Sequence, residues 1–449
     1  MAAGQQGTLN KAFVSAISFL DQRDINPNLL DQSRDAAFTD IMKLVNRYKE
    51  AKVPIYNYFV NNDVFADSTV TSVSSGYGTA IMTVVLTSAT SGYARVNDLV
   101  RSSNANMVGQ QALVTQVTSV SGVDTIKLQS VNNQPLYAVA NDILSFSSNA
   151  FGEKSDAPVN RKYGVTRYIN QVQVFREVDE ITDIQKVSKI EVSINGQPYY
   201  TPLNHIYKLK SLNGFISAQM IAGVQSSTLF ADSSPYLADA NGNPIQTTMG
   251  MDQYITTYGA TNQVATLGVV GFSDVNTMID TFLANKAPRD QMGFCGSRAK
   301  RPFDVWLKNL GSSGVTSVRL IIDGKEVNME VDKFSYGNFE WEFIYLPIFD
   351  HPQLFGPTIT PDINGSIYWI PKDKIQVEGG GMEPRIQIRY LPKAMAGGNS
   401  MSNGIITEWH TGALAPIPTN SEMVWHTDWY TVQGLEMLGV KHMMKFRVQ

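Results

Sequence analysis

The apolar positions of the first fifty residues recur at helical spacing. Phe13, Ile17 and Leu20 lie four and three residues apart, which predicts a helix over Asn10–Leu20 with one apolar face. A second helix is predicted from about Ser33 to Lys52. Both apolar stripes are narrow, so we expect these helices to lie against another part of the protein.

Between residues 63 and 151 the pattern changes to short β-branched runs separated by glycines. This spacing is typical of a small antiparallel barrel or sandwich. Two similar segments, VNDLV at 96–100 and ANDIL at 140–144, each place an Asn-Asp turn before an apolar strand. Only seven of the 87 residues from 64 to 150 are charged. We interpret this region as an inserted, weakly charged β-module.

A long amphipathic helix is predicted at about residues 202–223. Leu203 and Ile206 begin a stripe of apolar residues spaced by three and four, and Gly223 is suited to end the helix. A strand over Val165–Arg176 precedes it. This is the longest uninterrupted periodic segment of the chain.

From residue 266 onward, strand and helix patterns alternate, and the C-terminal tail is again extended. The alternation predicts an α/β domain with a mixed sheet. The elements expected there are a strand over Leu267–Phe272, a helix over Asp274–Lys286, a strand over Gln291–Cys295, a helix over Ala299–Leu310, a strand over Phe339–Leu346, and extended segments over Ile386–Tyr390 and Val424–Phe446.

Composition and charge exclude several classes of protein. The 36 Lys and Arg against 40 Asp and Glu leave a net charge of −4, so no basic field covers the whole chain. Charged residues make up 17 %, below the roughly 25 % of ordinary domains. Such a surface suits β-rich proteins that assemble or that work outside cells. No apolar run of about 18–20 residues predicts a membrane span, and Met1–Thr8 lacks the features of a signal peptide.

Histidines and the lone cysteine leave two interpretations open at each position. His410, His426 and His442 are sixteen residues apart and could bind zinc or copper, but their extended segments favour buried or interface histidines. Cys295 could be a thiol nucleophile or a small core residue, and the surrounding Met-Gly-Phe-Cys-Gly favours the core. A single cysteine excludes an internal disulfide framework and a thiolate zinc site.

Carboxylates near the tryptophans of the tail are the last catalytic candidates. Glu408, Asp428 and Glu436 could flank a glycan on an aromatic floor, or they could cover the edge of a sheet. No pair of carboxylates stands out. We therefore predict that the protein is not an enzyme and has no catalytic residue, no metal and no cofactor.

The order of the elements resembles that of the Hong Kong 97-type major capsid proteins of tailed bacteriophages. SFSSNAFGEKSD at 145–156 looks like the returning limb of the extended E-loop of that family. YINQVQVFRE at 168–177 and EITD at 180–183 look like the strand that leads to its spine helix, and GLEMLGVKH at 434–442 is similar to its closing strand. With a barrel inserted in the E-loop, the chain looks most like the capsid proteins of crAss-like phages.

The resemblance implies an α+β fold of Hong Kong 97 type. It assigns residues 1–54 to an N-terminal arm, 55–165 to the E-loop with a barrel at about 67–147, 166–245 to a peripheral domain with the spine helix, 246–415 to an axial domain, and 416–449 to C-terminal strands that return to the body. No long charged prefix is present, which implies a separate scaffold or none.

The same resemblance implies a function and a set of partners. The chain would self-assemble, as hexamers and pentamers, into an icosahedral phage head enclosing double-stranded DNA. Portal and auxiliary or decorating capsid proteins would be further partners, no membrane would be involved, and assembly would occur in the cytoplasm of the host bacterium. The alternatives are a secreted β-rich protein that binds or cleaves glycans and a protein-shell nanocompartment.

Candidate contact residues follow from this interpretation. Aromatic side chains give a large contact area at low rotamer cost, so we expect those in the E-loop limbs to anchor it on an adjacent subunit. They are Phe59, Phe65, Phe146 and Phe151. Lys208 and Lys210 on the long helix either face packaged DNA or lie on a solvated surface.

Overall fold

The computed structural model of the protein describes most of the chain after residue 47. The described residues are 48–61, 67–87, 93–153, 165–183, 192–194, 197–199, 203–226, 237–259, 262–266, 268–312, 321–322, 325–326, 333–356, 360–377, 381–392, 400–402, 405–415 and 417–448. The predicted helix over Asn10–Leu20 and most of the one from Ser33 lie outside them.

The first described elements are strands. They are β1 (Tyr48–Glu50), β2 (Ile55–Asn61), β3 (Asp67–Ser75), β4 (Ile81–Leu86), β5 (Asp98–Ser102), β6 (Ala112–Val120), β7 (Val123–Ser130), β8 (Ile143–Asn149), β9 (Val165–Gln171), β10 (Gln173–Thr182), β11 (Val192–Ile194) and β12 (Gln197–Tyr199).

Helices and strands alternate in the remainder. They are α1 (Leu203–Ala222), α2 (Met251–Tyr258), β13 (Gln263–Thr266), α3 (Phe272–Ala284), β14 (Asp290–Cys295), α4 (Ser297–Ser312), β15 (Ile321–Ile322), β16 (Lys325–Glu326), β17 (Lys333–Tyr336), β18 (Phe339–Tyr345), α5 (Pro352–Phe355), α6 (Pro361–Asn364), β19 (Ser366–Pro371), β20 (Lys374–Val377), β21 (Gly381–Pro384), β22 (Ile386–Tyr390), β23 (Ser400–Ser402), β24 (Ile406–Thr411), β25 (Val424–Met437) and β26 (Met444–Val448). Short 3-10 helices lie at Ala105–Met107, Pro347–Asp350 and Val440–His442.

The chain forms two compact units. The barrel unit is Asn57–Tyr168, and the body comprises the described residues before Asn57 and after Tyr168. Within the barrel unit, strands β3 to β8 close in the order β3-β4-β7-β6-β5-β8, with every neighbouring pair antiparallel. Its core is aliphatic, with Val70, Val84, Val114 and Ile126 fully buried. The inserted barrel predicted from the glycine-separated runs is therefore present.

The two Asn-Asp segments form matching turns in the barrel. Asn97 and Asn141 have φ values of 72° and 74°, a left-handed conformation that asparagine tolerates well. In the first turn Asp98 Oδ2 accepts a hydrogen bond from the Arg95 backbone N–H, and in the second Asp142 Oδ2 accepts one from Val139. Each turn directs the chain into the following strand, as the sequence pattern predicts.

The first sheet of the body is built around β25, whose 14 residues pair with β10, β22 and β24. One edge of this sheet is β1, which pairs in parallel with β22, and β23 lies at the other end of the strand order. Helix α1 packs on one face, where Leu212 and Ile216 join Phe175 and Trp429 in one buried cluster. The predicted long helix is thereby confirmed, with observed bounds of 203–222.

The second sheet of the body has the order β13-β26-β19-β14-β18-β17. One face is buried in an aromatic core with residues of α3 and α4, and the other face contributes to the cluster beneath α1. The aromatic core includes Phe282, Phe303, Trp341, Trp369 and Phe446. This is the mixed α/β sheet expected from the alternating pattern.

Two local predictions are wrong. Tyr48–Glu50 is a strand rather than the end of a helix, because it pairs with Ile388–Tyr390 and tertiary pairing outweighs local helical spacing. The strand expected over Leu267–Phe272 ends earlier, at Thr266, and α3 begins at Phe272. The carboxylate of Asp274 accepts from the backbone N–H of Gly271 and so fixes the helix start one turn before its own position.

Candidate assembly surfaces

Strands β2 and β9 pair with each other and form a two-stranded sheet, called here the ribbon. Tyr58 and Tyr168 stack within it, with ring centroids 5.0 Å apart and planes 7° from parallel. Phe59 is 65 % exposed and Val165 is 57 % exposed. A two-stranded sheet cannot bury both of its faces and is marginal alone in water. The ribbon therefore presents apolar surface that a partner can cover.

The aromatic residues predicted as anchors do not share one environment. Phe59 projects from the ribbon, and Phe151, just after β8, is 36 % exposed. Phe65 lies outside the described residues. Phe146 is only 5 % exposed, and its ring packs edge-on against Tyr93 with centroids 5.4 Å apart. Phe146 is thus part of the barrel core, which corrects its assignment as a contact residue.

The long helix α1 directs Lys208 toward its own sheet. Lys208 Nζ donates to Glu177 Oε1 at 3.3 Å and to the backbone oxygen of Val178 at 2.9 Å. The half-buried ion pair neutralises part of the charge that Lys208 would offer a phosphate. Lys210 is also only partly exposed. The outer surface of α1 instead presents Phe215, which is largely exposed.

Within the body, a buried polar network that the sequence did not reveal links Tyr56 and Asn170 to β25. Asn170 Nδ2 donates to Leu435 O at 2.7 Å, and Asn170 Oδ1 accepts from Met249 N at 2.9 Å. Tyr56 Oη donates to the same Leu435 oxygen. Burial raises the pKa of Tyr56 well above its usual range, so the phenol keeps the proton that it donates.

A glycine within β25 makes this close approach feasible. A Cβ atom on Gly434 would lie 2.7 Å from Gln171 O and 2.8 Å from Tyr56 Oη, closer than real Cβ atoms come. Glycine inside a strand often marks such a contact between backbones. Gly434 was therefore the one sequence signal that pointed to the network.

An ion pair beside the network joins two strands of the first sheet. Arg389 on β22 binds Glu436 on β25 with two hydrogen bonds of 2.7 and 2.8 Å. Arg389 also donates to Glu50 O on β1 at 3.2 Å. Glu436 is buried and accepts from Gln387 as well. The carboxylate considered for glycan chemistry is thus engaged in holding the sheet together.

The other catalytic and metal candidates are separated or engaged. Trp425 Nε1 donates to His410 Nδ1 at 3.0 Å, whereas His442 Nδ1 contacts Arg385. Asp428 is paired with Arg176 at 2.9 Å, and Cys295 is buried. Across the described ranges, no three His, Cys, Asp or Glu residues are placed to hold a metal ion. Among those same residues no helix has the length and apolarity needed to cross a bilayer.

Comparison with known proteins identifies the family. The sequence profile described as SU10 major capsid protein matches residues 103–341, just over half of the chain. The chain belongs to the SU10 major capsid protein family. As a major capsid protein it is a structural component of the virion and assembles into the icosahedral shell of a phage head.

Solved structures similar to this capsid protein come from several sources. The capsid of cyanophage A-1(L) matches with a TM-score of 0.45 and 7 % identity over 96 % of this chain and 97 % of that one. Microbacterium phage Oxtober96 gives a TM-score of 0.44 and 7 % identity over 97 % and 98 %. The SrpI encapsulin of Synechococcus elongatus PCC 7942 gives 0.35 and 9 % over 64 % and 77 %. No curated protein sequence matches the chain.

Family membership agrees with the architecture. The ribbon, the inserted barrel, the long helix α1, the mixed second sheet and the closing strands follow one another in the order expected for an α+β fold of Hong Kong 97 type. That fold class, predicted from the order of elements, is confirmed.

Proposed function

We propose that this capsid protein builds hexamers and pentamers whose shell encloses double-stranded DNA, with each ribbon lying across an adjacent subunit. The observation that carries this proposal is the ribbon itself: two strands with an exposed phenylalanine and no further strand beside them in the described structure. Apolar area of this kind contributes roughly 25 cal/mol per Å² when a neighbour covers it.

Phe59 and Phe151 are the anchors that remain after Phe146 is removed from the set, and Phe65 stays a prediction. Buried aromatic side chains are frequent hot spots of protein interfaces. Phe59 lies on β2 and Phe151 follows β8, and an aromatic side chain has few rotatable bonds, so little rotamer freedom is lost when a neighbour covers these rings.

Replacement of Phe59 tests the role of the ribbon. We expect Phe59→Ala to lower the yield of particles at least several-fold, because it removes an exposed ring and leaves the fold of the subunit intact. Phe59→Tyr, which keeps the ring, should assemble nearly as well as the wild type. Particle yield is read by sedimentation and electron microscopy, and subunit folding by circular dichroism. Wild-type yield from Phe59→Ala would contradict the proposal.

The inner face of the shell is the second part of the proposal. Lys208 and Lys210 would lie on the side of the subunit nearest packaged DNA, and because Lys208 is paired with Glu177 of its own sheet, their contact with DNA would be weak and salt-sensitive. Replacing both lysines by Gln should reduce the salt dependence of genome retention, and Glu177→Gln, which releases Lys208, should increase it. A salt dependence that neither variant changes would contradict this orientation of α1.

The remaining elements of the proposal concern the assembly as a whole. We propose that the subunit acts without catalysis or cofactor, that portal and auxiliary or decorating proteins complete the head in the host cytoplasm, and that the inserted barrel relates the chain to crAss-like phages. The predicted boundaries of the arm, E-loop, peripheral domain and axial domain belong to the same proposal.

A further inference from the structure

The hairpin formed by β6 and β7 extends beyond the closed part of the barrel. Strand β5 pairs with β6 only at Ala112 and Leu113, whereas β7 pairs with β6 as far as Val120. Past the Asn97–Val114 backbone hydrogen bond, the outer edge of β6 has no partner strand among the described residues. Residues 115–120 are therefore an open strand edge.

The register of the hairpin fixes which backbone groups lie on that edge. The turn residues Ser121 and Gly122 both have positive φ, 52° and 78°, and Val120 pairs with Val123. In a two-residue hairpin this closing pair is hydrogen-bonded, and hydrogen-bonded pairs alternate along the strands. The N–H and C=O groups of Val117 and Ser119 consequently point away from β7.

The composition of this edge is unusual for an unprotected strand. Proteins commonly guard open edges with lysine, proline or inward-pointing charge. The segment TQVTSV at 115–120 has none of these, and Thr118 and Ser119 are exposed. Its Thr and Val residues favour strand conformation. The edge is therefore suited to accept another strand by main-chain hydrogen bonding.

We propose that the partner of this edge is the same edge of a second copy, paired antiparallel about a two-fold axis through Thr118. The register follows from the backbone: Val117 pairs with Ser119 of the partner subunit, and Ser119 with Val117 of the partner subunit, so that each pair exchanges two hydrogen bonds. Such a symmetric pairing requires two residues, one position apart, whose backbone N–H and C=O groups both point away from β7.

Two observations select a second copy as the occupant. The capsid protein assembles in many copies, so an identical edge is present at high local concentration; the inference rests on that assembly. The edge is uncharged, so two identical edges meet without like-charge repulsion. Thr118 would then face its own equivalent across a non-hydrogen-bonded position, where Cα atoms are about 4.5 Å apart and a disulfide is sterically allowed.

Site-directed cross-linking of the full chain tests the register. Thr118→Cys in assembled particles should give a reducible dimer on oxidation, because the native Cys295 is buried and does not compete. Gln129→Cys is the matched control, an exposed residue on the same barrel whose strand β7 is paired on both sides. It should give at least ten-fold less dimer.

The outcomes separate this inference from head formation. Normal particles without the Thr118→Cys dimer, or equal dimer from both cysteine variants, would overturn the pairing and leave the capsid function intact. Hydrogen exchange supplies a second readout: the amides of Val117 and Ser119, which point away from β7, should be protected in particles relative to free subunits. Protection without the disulfide would assign the edge to a different partner and would also overturn the proposal.

Discussion

The barrel unit and the body are stabilised in different ways. All strand pairs of the barrel join segments within one stretch of the chain, from Asp67 to Asn149, and its core is mainly aliphatic. The body pairs β1 with β22, β10 with β25 and β13 with β26, which join segments far apart in the chain, and it fixes them with buried polar contacts such as Arg389–Glu436. Local pairing forms at low entropic cost, whereas distant pairing needs specific contacts to fix its register.

A spectroscopic difference makes the two units separable by experiment. All six tryptophans lie between residues 306 and 429, in the body, and all five histidines lie outside the barrel unit. Tryptophan fluorescence therefore reports unfolding of the body alone.

Breaking the Arg389–Glu436 pair should have the largest effect. Arg389→Ala leaves the buried carboxylate of Glu436 without its cation, which typically costs about 3–5 kcal/mol. Denaturant unfolding followed by tryptophan fluorescence measures the loss. Lys333→Ala is the control, since Lys333 is mostly exposed in its pair with Glu342, which keeps Lys372 as a second partner, and the change should cost about 1 kcal/mol or less. Equal losses from the two variants would contradict the role assigned to the buried pair.

Matched core substitutions should show whether the two units unfold independently. Leu435→Ala in the body and Leu128→Ala in the barrel each remove a buried leucine side chain, at a typical cost of about 2–5 kcal/mol. Only Leu435→Ala should shift the unfolding midpoint seen by tryptophan fluorescence. The comparison between the units fails if Leu128→Ala shifts that midpoint as far.

The pH dependence should be the smallest effect. Burial, and then the charge of Arg385, lowers the pKa of His442; Lys441 acts in the same direction and Asp373 opposes them. The folded body thus favours neutral His442. Above the unfolded pKa of about 6.5 His442 does not reduce the free energy of unfolding, and as pH falls below that value the unfolded chain takes up the proton first, so the free energy of unfolding decreases. His442→Gln should flatten the decline of stability between pH 7 and 5. If the decline is unchanged in this variant, a group other than His442 causes the loss of stability at low pH.

The same contrast explains what the sequence could predict. The barrel was predictable because glycines and the Asn97-Asp98 and Asn141-Asp142 turns encode it locally, and α1 because its apolar stripe is continuous. Strand β1 was not, since its partner at Ile388–Tyr390 lies some 340 residues away. The position of Phe146 inside the barrel depended on the face of β8, which sequence order alone does not fix.

The polar network around Leu435 shows most clearly what could not be predicted from the sequence. Asn170, Tyr56 and Leu435 are unremarkable in sequence, and only folding brings them within hydrogen-bonding distance. The contact surfaces were predicted by residue type, and burial then separated Phe59 and Phe151 from Phe146.

Electron microscopy of the purified full-length chain tests the central claim most directly: that apolar surface left exposed on one subunit is covered by its neighbours in a closed shell. The account predicts icosahedral particles with the ribbon of each subunit seated on an adjacent one. Solitary subunits that persist at high concentration, with the ribbon folded against their own body, would contradict it.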